Sequence, residues 1–185
     1  MKRTFIAIKL PVTEQTSELV NDIKSNLNDE KIKWVDNWNL HITLFFLGDT
    51  EEEIINKIGN TLTDYLKDIK SFTLSVKGLG IFKNIHNPRI IWLGINESDD
   101  LKKLKRHLDK TLESFGFYTE DKEFKPHLTI GRIKFLKNKK NLNNLLNKYK
   151  EQEFQNFIIK EVIFYESRLT SEGPVYRSLK TFPLS

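Results

Sequence analysis

NLHITLFFLG (residues 39–48) and KPHLTIGR (residues 125–132) share one phrase: a histidine, any residue, a threonine, an apolar residue. His41-Ile42-Thr43-Leu44 returns as His127-Leu128-Thr129-Ile130, 127 − 41 = 86 residues later, and half of the chain's four histidines stand in it. Each copy follows a turn-like stretch and precedes a helical one, as two halves related by approximate internal symmetry would. If both are strands, alternation puts His41 and Thr43 on one face and Leu40, Ile42 and Leu44 on the other, with the second copy repeating the pattern. The apolar faces can then seat against a core while the His and Thr side chains converge on a cleft. The same alternation predicts that Phe45 shares the His41 face, where core packing outweighs stacking of a base. It sets Arg132 opposite His127, so the guanidinium reaches the cleft only if Gly131 bends the strand.

Outward from these two strands the pattern is mixed. TFIAIKL (4–10), stopped by Pro11, reads as a buried strand. Thr13 can cap a helix carrying Leu19, Val20, Ile23 and Leu27. A turn at Asp36, Asn37 and Asn39 leads into the first copy, and Thr50 with Glu53 predicts a capping box for a helix with Ile54, Ile55, Ile58 and Leu62 inward. FTLSVKGL and RIIWLGI read as strands. Asp99 to Phe115 carries Leu101, Leu104, Leu108 and Leu112 at helical spacing and ends near Gly116. Residues 134–150, rich in Lys and Asn, read as a helix with a solvated basic face. Residues 157–169 and 175–182 read as the last strands. The runs 72–79 with 89–95, and 157–169 with 175–182, pair as antiparallel partners. This predicts an α+β fold of antiparallel sheets with flanking helices, residues 1–185 forming one domain of two lobes around a central cleft.

Composition narrows the chemistry. The 185 residues suit one core, and 38% hydrophobic with 30% charged residues is globular rather than disordered. No run reaches the ~18–20 apolar residues of a membrane span, and MKRTFIAIKLP turns polar too early for a signal peptide, so the expectation is a cytosolic protein without a membrane partner. With no cysteine, disulfides, thiol nucleophiles and thiolate zinc sites are excluded. Thirty basic against 25 acidic residues, net charge +5, favour an anionic partner without specifying one.

Two imidazoles approaching a phosphate from opposite sides can run an in-line displacement, one taking a proton from the attacking oxygen and one giving a proton to the leaving oxygen. Thr43 and Thr129 can donate hydrogen bonds to the non-bridging oxygens. The scheme requires no metal or other cofactor.

With both motifs in their flanks (RTFIAIKLP, KWVDNWNLHITLFFLGD, GLGIF leading to PRIIWLGI, FKPHLTIGRI, and EVIFYESRLTSEGPVYRSLKTFPL) the chain resembles the two-histidine (2H) phosphoesterase superfamily. Within it the likeness is to RNA 2′,3′-cyclic phosphodiesterases, formerly described as 2′-5′ RNA ligases. The resemblance implies a bilobal fold with pseudo-twofold symmetry and hydrolysis of a terminal 2′,3′-cyclic phosphate to a 2′-phosphate, with RNA or an oligonucleotide as partner. It implies His41 as proton donor to the 3′ oxygen, His127 as the acceptor that activates water, and Thr43 and Thr129 as phosphate ligands, with Arg132 a further candidate. An RNA 5′ hydroxyl in place of water would give a 2′-5′ linkage. Ser167 and Tyr176 fall in a stretch whose plainer role is structural, a strand end, a turn at Gly173 and Pro174, and a return. His86 reads as a loop residue and His107 as a solvent-facing helix residue. A silent RNA-end binding module and a phosphodiesterase for 2′-5′ oligonucleotides or small cyclic nucleotides are the alternatives. Monomer is the expected state.

Overall fold

The computed structural model describes residues 1–96, 98–119, 123–171 and 173–185. In chain order the elements are β1 (Lys2–Lys9), α1 (Glu14–Asn26), β2 (Lys31–Trp34), a 3-10 turn (Asn37–Asn39), β3 (His41–Thr50), α2 (Glu52–Leu66), β4 (Phe72–Phe82), β5 (Ile90–Ile95), α3 (Asp99–Glu113), β6 (His127–Phe135), α4 (Lys139–Tyr149), β7 (Glu153–Ile159), β8 (Glu161–Leu169) and β9 (Pro174–Pro183). The strands form one sheet in the order β7-β4-β5-β6-β3-β1-β8-β9, with β2 added on β6, and every pairing is antiparallel. Each half is a four-stranded set with its motif strand innermost. The halves meet where β3 and β6 pair at Ile42 and Leu128, the residue after each histidine.

The helices form where the spacing predicts them. The Thr13 hydroxyl accepts from the Thr16 amide at the start of α1, and Ser98 does the same for Leu101 at the start of α3. Gly116, just past α3, takes φ +82°, a left-handed stop. α2 buries Ile55, Ile58 and Leu62, and α3 buries Leu101, Leu104, Leu108 and Leu112. These faces close on Ile6, Ile8, Ile42, Leu44, Leu93, Leu128 and Ile130 in one continuous core. Truncating one such residue, Leu108 for instance, costs about 2–5 kcal/mol. Phe5, Ala7, Ile163 and Tyr165 form a separate small cluster with Tyr176 packed on it.

Two local expectations are corrected, and one strand is added that the pattern did not suggest. There is no capping box at Thr50: Glu51 is the cap residue and makes no side-chain capping bond. Thr50 is the last, buried residue of β3, and its hydroxyl lies 2.9 Å from that of Thr4 and donates to the Gly48 carbonyl at 3.1 Å. Residues 157–169 are not one strand but two. The chain breaks at Lys160, so that β7 joins β4 in one half and β8 joins β1 and β9 in the other. The charged pair Lys160–Glu161, between the apolar runs Phe157–Ile159 and Val162–Tyr165, marks that break in the sequence. Lys31–Trp34, too short and too charged to read as a strand, pairs along the far end of β6.

Candidate active site

The two motif strands are built alike down to an irregularity. Between β1 and β3, Ile6 pairs Phe45 but Ala7 pairs Thr43, so Leu44 is an extra residue. Between β5 and β6, Ile91 pairs Gly131 but Trp92 pairs Thr129, so Ile130 is extra. A bulge turns two consecutive residues inward and shifts the alternation by one. Leu44 and Phe45 are therefore both buried, as are Ile130 and Gly131. The fifth residue after each histidine, Phe46 and Arg132, emerges on the His and Thr side.

Two readings change as a result. Phe45, 4% exposed, sits in the core and not on the His41 face. Arg132 lines the same cavity as both histidines. The first half bulges without a glycine, so the glycine is not what permits the bend. Gly131 answers a different demand: a Cβ there would lie 2.9 Å from the ring of Trp34, which β2 lays against β6. Strict alternation gives no hint of a bulge, and on alternation alone the place of Arg132 stays conditional.

The histidines are held identically. Nδ1 of His41 lies 2.7 Å from the carbonyl oxygen of Asn39, and Nδ1 of His127 lies 2.7 Å from that of Lys125, each two residues upstream. Nδ1–H donating to a carbonyl leaves Nε2 of each ring free for proton transfer. Each ring also meets an aromatic edge-on: Tyr176 at 5.0 Å for His41 and Phe82 at 4.6 Å for His127. Phe5, at 5.1 Å, packs His41 further. Burial pushes both imidazoles below the ordinary histidine value of 6.5, the carbonyl bonds oppose that fall, and the Arg132 charge adds to it. At His41 the facing His127 adds more. Burial raises the Tyr176 phenol above its ordinary value, against the pull of Arg132 and Arg3, so its hydroxyl stays a neutral donor.

A cavity of about 270 Å³ takes in His41, Thr43, His127, Thr129 and Arg132. The structure thus brings together all five residues picked out in the sequence. It adds Tyr176, on β9 opposite Ser167, and Trp38, in the 3-10 turn and 70% exposed at the cavity's edge. Tyr176 packs on the small cluster of Phe5 and Tyr165, as a structural residue would, and also meets the His41 ring and lines the cavity. Trp38 was missed, although a tryptophan among Asp36, Asn37 and Asn39 just before the first motif was a usable signal. His86 and His107 are exposed and lie outside this cavity. Thr43 and His127 also border a second, wider opening of about 1070 Å³ that runs towards α3. Among the described residues, no three His, Cys, Asp or Glu side chains cluster to hold a metal ion, and no helix is long and apolar enough to cross a membrane.

Residues 5–184 match the family described as AKAP7 2′5′ RNA ligase-like domain. A protein of Methanocaldococcus jannaschii named RNA 2′,3′-cyclic phosphodiesterase is 38% identical over 178 residues, covering 96% of this chain and 98% of its own. A protein of the same name from Thermotoga maritima is 38% identical over 181 residues, covering 96% and 92%. Among solved structures, TT0787 of Thermus thermophilus superposes with a TM-score of 0.77 at 24% identity, covering 98% of this chain and 97% of that one, which shows the same fold.

Proposed function

The chain belongs to the 2′5′ RNA ligase-like family of two-histidine phosphoesterases, and from that premise we propose that it is an RNA 2′,3′-cyclic phosphodiesterase acting on RNA that ends in a cyclic phosphate. The observation that carries the reading is the pair of histidines. They stand on adjoining strands across the Ile42–Leu128 contact, each with one ring nitrogen fixed by a carbonyl and both on one cavity. Acid–base work from two sides of a phosphate needs that arrangement.

His127 takes the proton of the attacking water, the oxygen bonds to phosphorus, the bond to the 3′ oxygen breaks, and His41 gives that oxygen its proton. A 2′-phosphate remains. Thr43 and Thr129 donate to the non-bridging oxygens, while Arg132 holds the charge that builds there. The reading takes the chain as a monomer of one two-lobed domain, working in the cytosol without metal or other cofactor. The alternative of a silent RNA-end binder leaves both latched histidines without a purpose.

The test is incubation of the protein, in EDTA, with a nucleoside 2′,3′-cyclic phosphate and with an RNA ending in one. Chromatography should identify a 2′-phosphate from both. A 3′-phosphate would reverse the leaving-group assignment, and unchanged substrates would refute the reading.

A further inference from the structure

An in-line displacement has a direction, and the two openings of this cleft differ in how they lie along it. If His41 protonates the departing 3′ oxygen, the terminal ribose, which keeps that oxygen, lies on the His41 side. The nucleophile enters from the His127 side. The smaller cavity is bordered by both histidines, with Tyr176 against His41 and Trp38 in its lining. The wider opening is bordered by His127 and Thr43 but not by His41 or Thr129. At about 1070 Å³ it offers far more room than a water molecule needs.

Its walls suit a nucleic-acid strand. Phe46, 52% exposed, and Tyr118, 74% exposed, offer ring surface, and Phe82, edge-on to His127, lines the same opening. Arg106, on the exposed side of α3, and Lys125 bring positive charge. Of the acidic residues there, Asp109 is tied to Lys105, and Glu123 lies 3.9 Å from Lys125. Aromatic faces interleaved with cations are what an unpaired strand recognises, the rings stacking bases and the cations meeting phosphates.

We propose that this opening is the docking site for a second RNA strand, the one whose 5′ hydroxyl replaces water as nucleophile. In that step the 5′ oxygen bonds to phosphorus, its proton passes to His127, the bond to the 3′ oxygen breaks, and His41 protonates it. A 2′-5′ phosphodiester forms with no other reactant. The proposal rests on the phosphodiesterase reading and on its assignment of the two histidines.

The double variant Arg106→Glu with Tyr118→Ala tests it, since both side chains are exposed and neither belongs to the smaller cavity. Wild type and variant are each given an RNA with a 2′,3′-cyclic phosphate end, with and without an excess of a 5′-hydroxyl oligoribonucleotide. A nucleoside 2′,3′-cyclic phosphate is run in parallel. The expected result is a loss of about tenfold or more in 2′-5′ joined product, with hydrolysis of both cyclic substrates unchanged. Joining that survives in the variant overturns the proposal. So does a matching fall in hydrolysis of the cyclic-ended RNA alone, which would place that strand in the opening instead. A wild type that hydrolyses both substrates yet joins nothing overturns this proposal and leaves the phosphodiesterase reading standing.

Discussion

β3 and β6 carry the same histidine, the same threonine and the same bulge, and part company two residues after it. The first strand then presents Phe46, with the Arg3 guanidinium 5.0 Å above its ring, and the second presents Arg132. Their neighbours differ as well. Opposite Thr43 stands Ala7, and opposite Thr129 stands Trp92, whose ring lies so close over Gly80 that a Cβ there would be 2.2 Å from it. What stays constant is the histidine itself, held at matched positions by the same carbonyl bond in both halves. What varies is the side chain beyond the bulge and the residue opposite each threonine. A duplicated frame places the two histidines alike, while its departures put a ring on one side of the cleft and a guanidinium on the other.

The comparison breaks first at the histidines. His41→Ala and His127→Ala should each leave the fold intact and lower turnover by about 10²–10⁴, and a near wild-type rate from either would sink the assignment. Glutamine at each position tells the halves apart through residual activity. H41Q should lose the alkaline limb of the kcat/KM profile, since the acid is gone, and H127Q the acid limb. Next come the threonines. Loss of one phosphate donor costs up to about 10²–10³ in kcat, so Thr43→Val and Thr129→Val should fall in that range. Equal losses would make the two halves equal phosphate ligands, and a large difference would assign the work to one.

Arg132 is where the halves differ in charge, and its removal should show in pH as well as affinity. Its positive charge disfavours a second positive charge on either imidazole and lowers both. With one histidine acting protonated and one neutral, as proposed, the kcat/KM optimum of the free enzyme is expected below the ordinary histidine value, since both imidazoles are lowered. In Arg132→Met both values rise, the bell moves to higher pH, and KM rises about tenfold or more for want of a charge-assisted contact. A raised KM with an unmoved bell would mean that the guanidinium acts at a distance from both rings.

Much of this was legible in the chain because it is local and periodic. Alternation in LHITL and KPHLTI separated core from cleft side chains, the leucine stripe of α3 gave its inward face, and Thr13 marked a helix start. What escaped depends on contacts between distant segments. The bulges at Leu44 and Ile130 are registers against β1 and β5, invisible in β3 or β6 alone, yet they decide that Phe45 is core and Arg132 is not. Thr50 has the spacing of a helix cap, and only Thr4, on the neighbouring strand, gives it a buried partner instead. Tyr176 reaches His41 only because β9 folds back along β8, more than a hundred residues from the histidine it meets.

The smallest expected effect concerns the rings that meet each histidine edge-on. Tyr176 and Phe82 stand at 82° and 86° to His41 and His127, a matched pair except for one hydroxyl. An aromatic pairing of this kind is worth about 0.5–1.5 kcal/mol, so Tyr176→Leu and Phe82→Leu should each lower kcat/KM by roughly twofold to tenfold as the imidazole loses its seat. Tyr176→Phe keeps the ring and discards only the hydroxyl. If it matches wild type, the ring alone positions His41 and the halves are equivalent here too. If it falls as far as Tyr176→Leu, the phenol itself contacts substrate, and the first half then contributes a donor for which the second, with Phe82, has no counterpart.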